Sequence, residues 1–175
     1  MPANLIAFYR GVASDSEQRR LDEILDWDDS DLEAVHDFIQ WLFPLPDASA
    51  FNPDAPLLTA ADIAEFRRDP ALRANLLRAA RRMFAFYGFD LTETGEGVQA
   101  ARASDFAERR HVLYGGFNHN HLRITRILKS LTLLDLGEVA RQFLTAIRVN
   151  DQRQSLPRES VAYWTDAIET SYRSK

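Results

Sequence analysis

His119, Arg123, Arg126 and Ser130 follow one another at intervals of four, three and four residues. On a helix that spacing lines them up as one ridge. Each guanidinium can fork onto a carboxylate or a phosphate. His119 and the unpaired N–H groups of the first turn would add donors at the positive end of the helix dipole. The ridge reads either as an anion site or as a row of cations pairing with acids elsewhere in the chain. A second polar strip, Glu33, His36, Asp37 and Gln40, runs through a segment that is otherwise apolar and ends near Trp41. It offers an acid, an amide and an aromatic wall to a ligand, or it packs against Arg123 and Arg126. A short zwitterionic peptide would need an acid for its amine, an arginine for its carboxylate and aromatic walls. The candidate ligand-binding set is therefore His36, Asp37, Gln40, Trp41, His119, Arg123 and Arg126.

Other chemistry is poorly represented. The chain has no Cys, so thiolate metal sites, disulfides and cysteine nucleophiles are excluded. His119 and His121 form an H-x-H pair, but two residues apart on a helix they diverge by about 200°. No Asp or Glu stands near them, so no metal or cofactor is expected. His36-Asp37 is an isolated dipeptide without a second ligand set. There is no G-x-S-x-G, no P-loop and no G-x-G-x-x-G. The bases are 19 Arg and 2 Lys, which leaves little room for lysine catalysis. An enzyme is therefore not expected. Doubled arginines never extend into a longer basic run, so no nucleic-acid partner is expected.

The elements that must position these residues are helices. Ala (23) and Leu (21) make up a quarter of the 175 residues, and no period-two run is long enough for a sheet. Start and stop signals predict helices over residues 3–10, 16–26, 31–43, 60–68, 70–87, 105–114, 119–133, 137–149 and 158–172. Ser30 with Glu33 and Thr59 with Asp62 are capping patterns, Asp69-Pro70 is an N-cap with an N1 proline, and Gly88 is a stop. Asp90–Ala103 is polar, holds Gly95 and Gly97, and reads as a mobile loop. In the helix at 70–87, Leu72, Leu76, Ala79, Met83, Phe86 and Tyr87 share a face, with Arg78 and Arg82 opposite. In the helix at 158–172, Val161, Trp164, Ile168 and Tyr172 gather. Ile124, Ile127, Leu128, Leu131 and Leu134 form the core face of the helix at 119–133. The expected fold is all-α: a compact single-domain bundle of about nine helices spanning residues 1–175, with no sheet.

Charge is unevenly spread. Residues 1–62 hold 13 acids and 3 bases, net −10, while residues 63–175 hold 13 acids and 18 bases, net +5. The overall −5 conceals this split, and internal complementarity between the two parts is the expectation. No apolar run approaches the ~20 residues of a membrane span. Met1–Arg10 lacks the pattern of a signal peptide, so the expected location is cytoplasmic.

Two segments are distinctive as sequence. Phe38–Leu45 (FIQWLFPL) and His119–Leu131 (HNHLRITRILKSL) closely resemble the conserved region of the opioid growth factor receptor family. Pro56–Thr59 (PLLT) and Phe86–Phe89 (FYGF) extend the resemblance, in the same order and at similar spacing. It covers roughly residues 5–172. The resemblance implies a receptor-like module: animal members look like intracellular, nucleus-associated receptors for the pentapeptide Met-enkephalin that limit proliferation. The composition suggests a bacterial source. Tyr114-Gly115-Gly116-Phe117 coincides with the start of enkephalin, but it is internal and explained as a helix stop. The resulting expectation is a non-enzymatic helical module for a short peptide or protein partner. Alternatives are an enzyme or sensor for a small phosphate or carboxylate compound at His119, Arg123 and Arg126, or a purely structural interaction domain.

Overall fold

The computed structural model describes residues 4–49, 52–95, 97–114 and 116–172. Ala3 and Gly115, which fall in expected segments, and the side chain of Tyr172 lie outside the described residues. The chain forms two compact units, residues 1–79 and 80–175.

The first unit contains α1 (Leu5–Tyr9), α2 (Leu21–Leu25), α3 (Asp29–Ala34), α4 (Ile39–Leu42), α5 (Ala60–Arg68) and the start of α6 (Pro70–Phe86). Local chemistry starts several of them. Asn4 accepts the Ala7 N–H at 2.9 Å and caps α1. Thr59 and Asp62 close the expected capping box on α5, at 3.1 Å and 2.9 Å. Asp69 takes the Ala71 N–H at 2.9 Å ahead of the Pro70 start of α6. The core is aromatic: Phe8 meets Trp41 at 5.1 Å and Tyr9 meets Phe66 edge-on at 4.9 Å. The Tyr9 hydroxyl donates to the Leu42 carbonyl, so its polar tip is satisfied inside.

One continuous helix over 31–43 is not formed. Asp28, rather than Ser30, caps α3 by accepting the Asp31 N–H at 2.9 Å. α3 ends at Ala34, and the β-branched Val35 is extended at φ −92°, ψ 134°. The Asp37 carbonyl then accepts from Asn52 Nδ2 at 3.2 Å, and its carboxylate from Arg19 at 2.8 Å. Phe38 to Leu45 are all buried, one after another. Burial without interruption cannot be met by one amphipathic face, and a four-residue turn of helix inside the core meets it instead.

The second unit corrects the expectation of no sheet. After α6 come β1 (Phe89–Thr94) and β2 (Gly97–Arg102), paired antiparallel from Phe89↔Arg102 to Thr94↔Gly97. The supposed loop Asp90–Ala103 is thus mostly a hairpin. Its alternation is confined to Phe89 and Leu91, which are buried, while β2 has no buried residue. That pattern is too short for a periodicity argument. Gly88 ends α6 as expected, at φ +87°. A Cβ there would also lie 3.1 Å from the Phe106 ring, so both conformation and space require glycine.

α7 (Phe106–Arg109) runs into a 3-10 turn (Arg110–Val112), replacing the single helix expected over 105–114. α8 (His119–Leu133), α9 (Gly137–Asn150) and α10 (Arg158–Tyr172) complete the unit. α8 packs against both α9 and α10, and α9 also covers β2. The expected core face of α8 is buried, as are Trp164 and Ile168 of α10. Phe143 of α9 is the centre: it stacks on Phe84 at 3.7 Å and meets Phe89 edge-on at 5.8 Å.

Two consequences for stability follow from this packing. Phe143→Ala empties a wholly buried ring site and should cost ~3–5 kcal/mol in urea unfolding. Asp15 is buried to 0% side-chain exposure beneath Arg19, so Arg19→Ala should cost about 3 kcal/mol by leaving that buried charge without its cation. Arg67→Ala on exposed α5 should stay within about 0.5 kcal/mol.

Candidate functional site

The expected site residues fall in both units, so each group is described within its own. In the first unit, His36 is exposed and Asp37 half-buried. Asp37 is one of two carboxylates held by Arg19, whose Nη1 donates to it at 2.8 Å while Nε donates to Asp15 at 2.7 Å. The same guanidinium lies 5.5 Å from the Trp27 ring centre. Gln40 and Trp41 are buried, at 5% and 2% exposure. The Trp41 indole packs on Phe8, so it is core and not the open wall of a groove. Among the described residues, Gln40 Oε1 and Trp41 Nε1 have no hydrogen-bond partner, an arrangement that costs roughly 1–3 kcal/mol per atom.

In the second unit, His119 is exposed, Arg126 half-buried and Arg123 only 5% exposed. Arg123 donates to Asn120 Oδ1 at 3.3 Å, and that oxygen also accepts from the Tyr87 hydroxyl at 3.2 Å. Ser130 is wholly buried. The ridge predicted from spacing is real as a helical row, but Arg123 within it is withheld from solvent.

An open concavity lies elsewhere in the second unit. Phe117, His121, Leu122, Thr125, Glu159, Ser160 and Tyr163 line a cavity of about 350 Å³. These residues come from the entry to α8, its first two turns, and the first two turns of α10. Phe117, Leu122 and Tyr163 are large hydrophobic side chains at 65%, 50% and 60% exposure. The floor is polar and buried: His121 is 1% exposed and Ser160 4%. This surface was missed at the level of sequence, though a signal existed. On the wheel of α8, Leu122 lies away from Ile124, Ile127, Leu128 and Leu131, on the side of the polar residues.

The hydrogen bonds of His121 define its state. Nε2 lies 3.0 Å from the Leu113 carbonyl, which can only accept, so Nε2 carries the proton. Nδ1 is then the acceptor and receives the Ser160 hydroxyl at 2.9 Å. The His121 carbonyl accepts from Trp164 Nε1 at 3.0 Å and from the Thr125 hydroxyl at 3.1 Å. Desolvation by burial pulls the imidazole pKa below its usual 6.5, opposed by the bond to Leu113. The groove floor is therefore a neutral, fixed ring.

Stability should follow this titration. With the folded-state pKa lowered, the unfolded chain takes the proton first as pH falls. The contribution of His121 is complete above about 6.5 and is lost as pH drops below it. Urea unfolding at pH 7.5 and 5.5 should show a larger loss for the natural chain than for His121→Gln. Equal losses would contradict a neutral buried His121.

Comparison with known proteins fits this chain into a family. The family described as the opioid growth factor receptor conserved region matches residues 3–175. The rat opioid growth factor receptor is 36% identical over 148 residues, covering 82% of this chain and 25% of the relative. The human receptor is 33% identical over 148 residues, covering 82% of this chain and 21% of the relative. Mouse opioid growth factor receptor-like protein 1 is 42% identical over 100 residues, covering 57% of this chain and 21% of the relative. The chain thus spans about a quarter or less of the length of these relatives. No solved structure matches. No helix among the described residues is long and apolar enough to cross a membrane. With nearly its whole length matched to the family and about a third of the aligned residues identical to named members, the chain belongs to the family defined by the opioid growth factor receptor conserved region.

Proposed function

We propose that this chain is a non-enzymatic, receptor-like binding module for a short peptide or a protein partner, and that the groove between the first turns of α8 and α10 is its binding surface. The family members are named receptors, which supports a binding role. The observation that carries the reading is the convergence of three exposed apolar side chains, Phe117, Leu122 and Tyr163, on one cavity with a buried, hydrogen-bonded floor. Rings and branched side chains of this kind supply contact area at small entropic cost, and a fixed floor lowers the cost of ordering on binding. At about 350 Å³ the cavity takes one or two side chains rather than a folded domain. The rest of a partner would then lie along the exposed faces of the two helices.

The reading is tested by selecting displayed peptides on the folded chain and titrating them by calorimetry. Leu122→Ala and Tyr163→Ala, both on exposed positions, should each weaken binding by about tenfold or more while circular dichroism stays unchanged. Selected peptides that bind both variants like the natural chain would move the site elsewhere. A selection that enriches nothing would overturn the binding role itself.

A further inference from the structure

The same groove has a chemistry narrower than apolarity. Among the described residues, its lining includes one formal charge, the carboxylate of Glu159, and neither Lys nor Arg. Three ring systems line it: Phe117, Tyr163 and His121. Phe117 and His121 stand edge to face, with ring centres 5.7 Å apart and planes at 85°. Aromatic faces carry partial negative charge and attract cations held against them. The imidazole adds no opposing charge, because Leu113 and Ser160 hold it as the neutral tautomer.

A site with aromatic walls and one acid discriminates among cations. A metal ion or a bare ammonium gives up strong hydration on entering it, and one carboxylate replaces little of that. An alkylated ammonium is weakly hydrated, and its charge is spread over methyl groups that also gain from contact with apolar walls. Leu122 and Thr125 extend the surface beside the rings, where the chain carrying such a group would run.

We propose that this groove binds a methylated lysine side chain of a peptide partner, its alkylated ammonium seated against Phe117 and Tyr163 and paired with Glu159. This rests on the reading of the groove as the peptide-binding surface and specifies what that surface recognises. Glu159 is exposed, at the start of α10, and the hydrogen bonds of the floor run between His121, Ser160 and Leu113.

The test uses the full chain and four probes: a capped pentapeptide with central trimethyl-lysine, its unmodified lysine form, its uncharged tert-butyl isostere, and tetramethylammonium. The trimethyl-lysine peptide should bind at least tenfold more tightly than the isostere and than unmodified lysine. Glu159→Gln should weaken it about three- to tenfold, and Tyr163→Ala should remove measurable binding, with unchanged circular dichroism. An isostere that binds as well as the cation would overturn the proposal and leave the apolar peptide groove standing. Tetramethylammonium binding as tightly as the peptide would overturn the peptide source in favour of a small amine. If no probe binds, the cation proposal fails, and the peptides selected on the folded chain decide separately whether the groove binds peptides at all.

Discussion

The second unit turns on one imidazole. His121 sits in the first turn of α8, and its ring and carbonyl together reach four partners. Leu113 lies just past the 3-10 turn, Ser160 and Trp164 belong to α10, and Thr125 belongs to α8 itself. A hydrophobic contact could slide; this set cannot, because each bond fixes a donor against a particular acceptor in a low-dielectric interior. The arrangement sets which faces of α8 and α10 look outward. The positions of Phe117, Leu122 and Tyr163 around the cavity follow from that alignment. Losing the ring would strand the Ser160 hydroxyl and the Leu113 carbonyl together, so the groove and the local fold depend on the same residue.

The first unit solves a related problem with charge. Its acid-rich sequence places Asp15 and Asp37 near a core of large aromatic rings, and Arg19 serves both carboxylates while lying against Trp27. Asp15 is also held by the backbone N–H groups of Glu17 and Arg19, at 2.9 Å and 2.8 Å. A carboxylate with that many donors is tolerated where an isolated one is not. Arg78 pairs with Asp22, and Arg10 pairs with Glu65 and Asp69, again inside this unit. In each pair at least one side chain is 46% exposed or more, so solvent screens the charges and the pairs stabilise little.

Much of the helical framework was legible because it is written in local chemistry. The capping box at Thr59, the Asp69-Pro70 start, the Gly88 stop and the stripes of α6, α8 and α10 each depend on residues a few positions apart. The hairpin was not legible, because β2 buries none of its residues fully and only Val98 and Ala100 are half-buried, too short an alternation to read. The break at Val35 was not legible either, since Arg19 and Asn52, which hold the intervening backbone and side chain, are distant in sequence. For the site, spacing identified the α8 row correctly but not its burial: Arg123 looks like a ligand-binding arginine in sequence and lies at 5% exposure. His121 was set aside with the H-x-H pair, because its partners Leu113 and Ser160 lie 8 and 39 residues away.

Exposure by itself does not single out the groove. Val12 and Val149, at 73% and 71%, are more exposed than any of its three apolar residues, and scattered surface hydrophobics need no explanation. The difference is convergence. Phe117, Leu122 and Tyr163 open onto one concavity whose floor is polar, satisfied and uncharged, with a single carboxylate among the lining residues. Apolar walls alone would favour any greasy side chain, and a carboxylate alone any hydrated cation. Only a group that is both cationic and apolar gains from every part of this lining, and a protonated imidazole beneath it would reverse that preference. Holding His121 neutral is therefore a condition for both the fold of this unit and the selectivity of its groove.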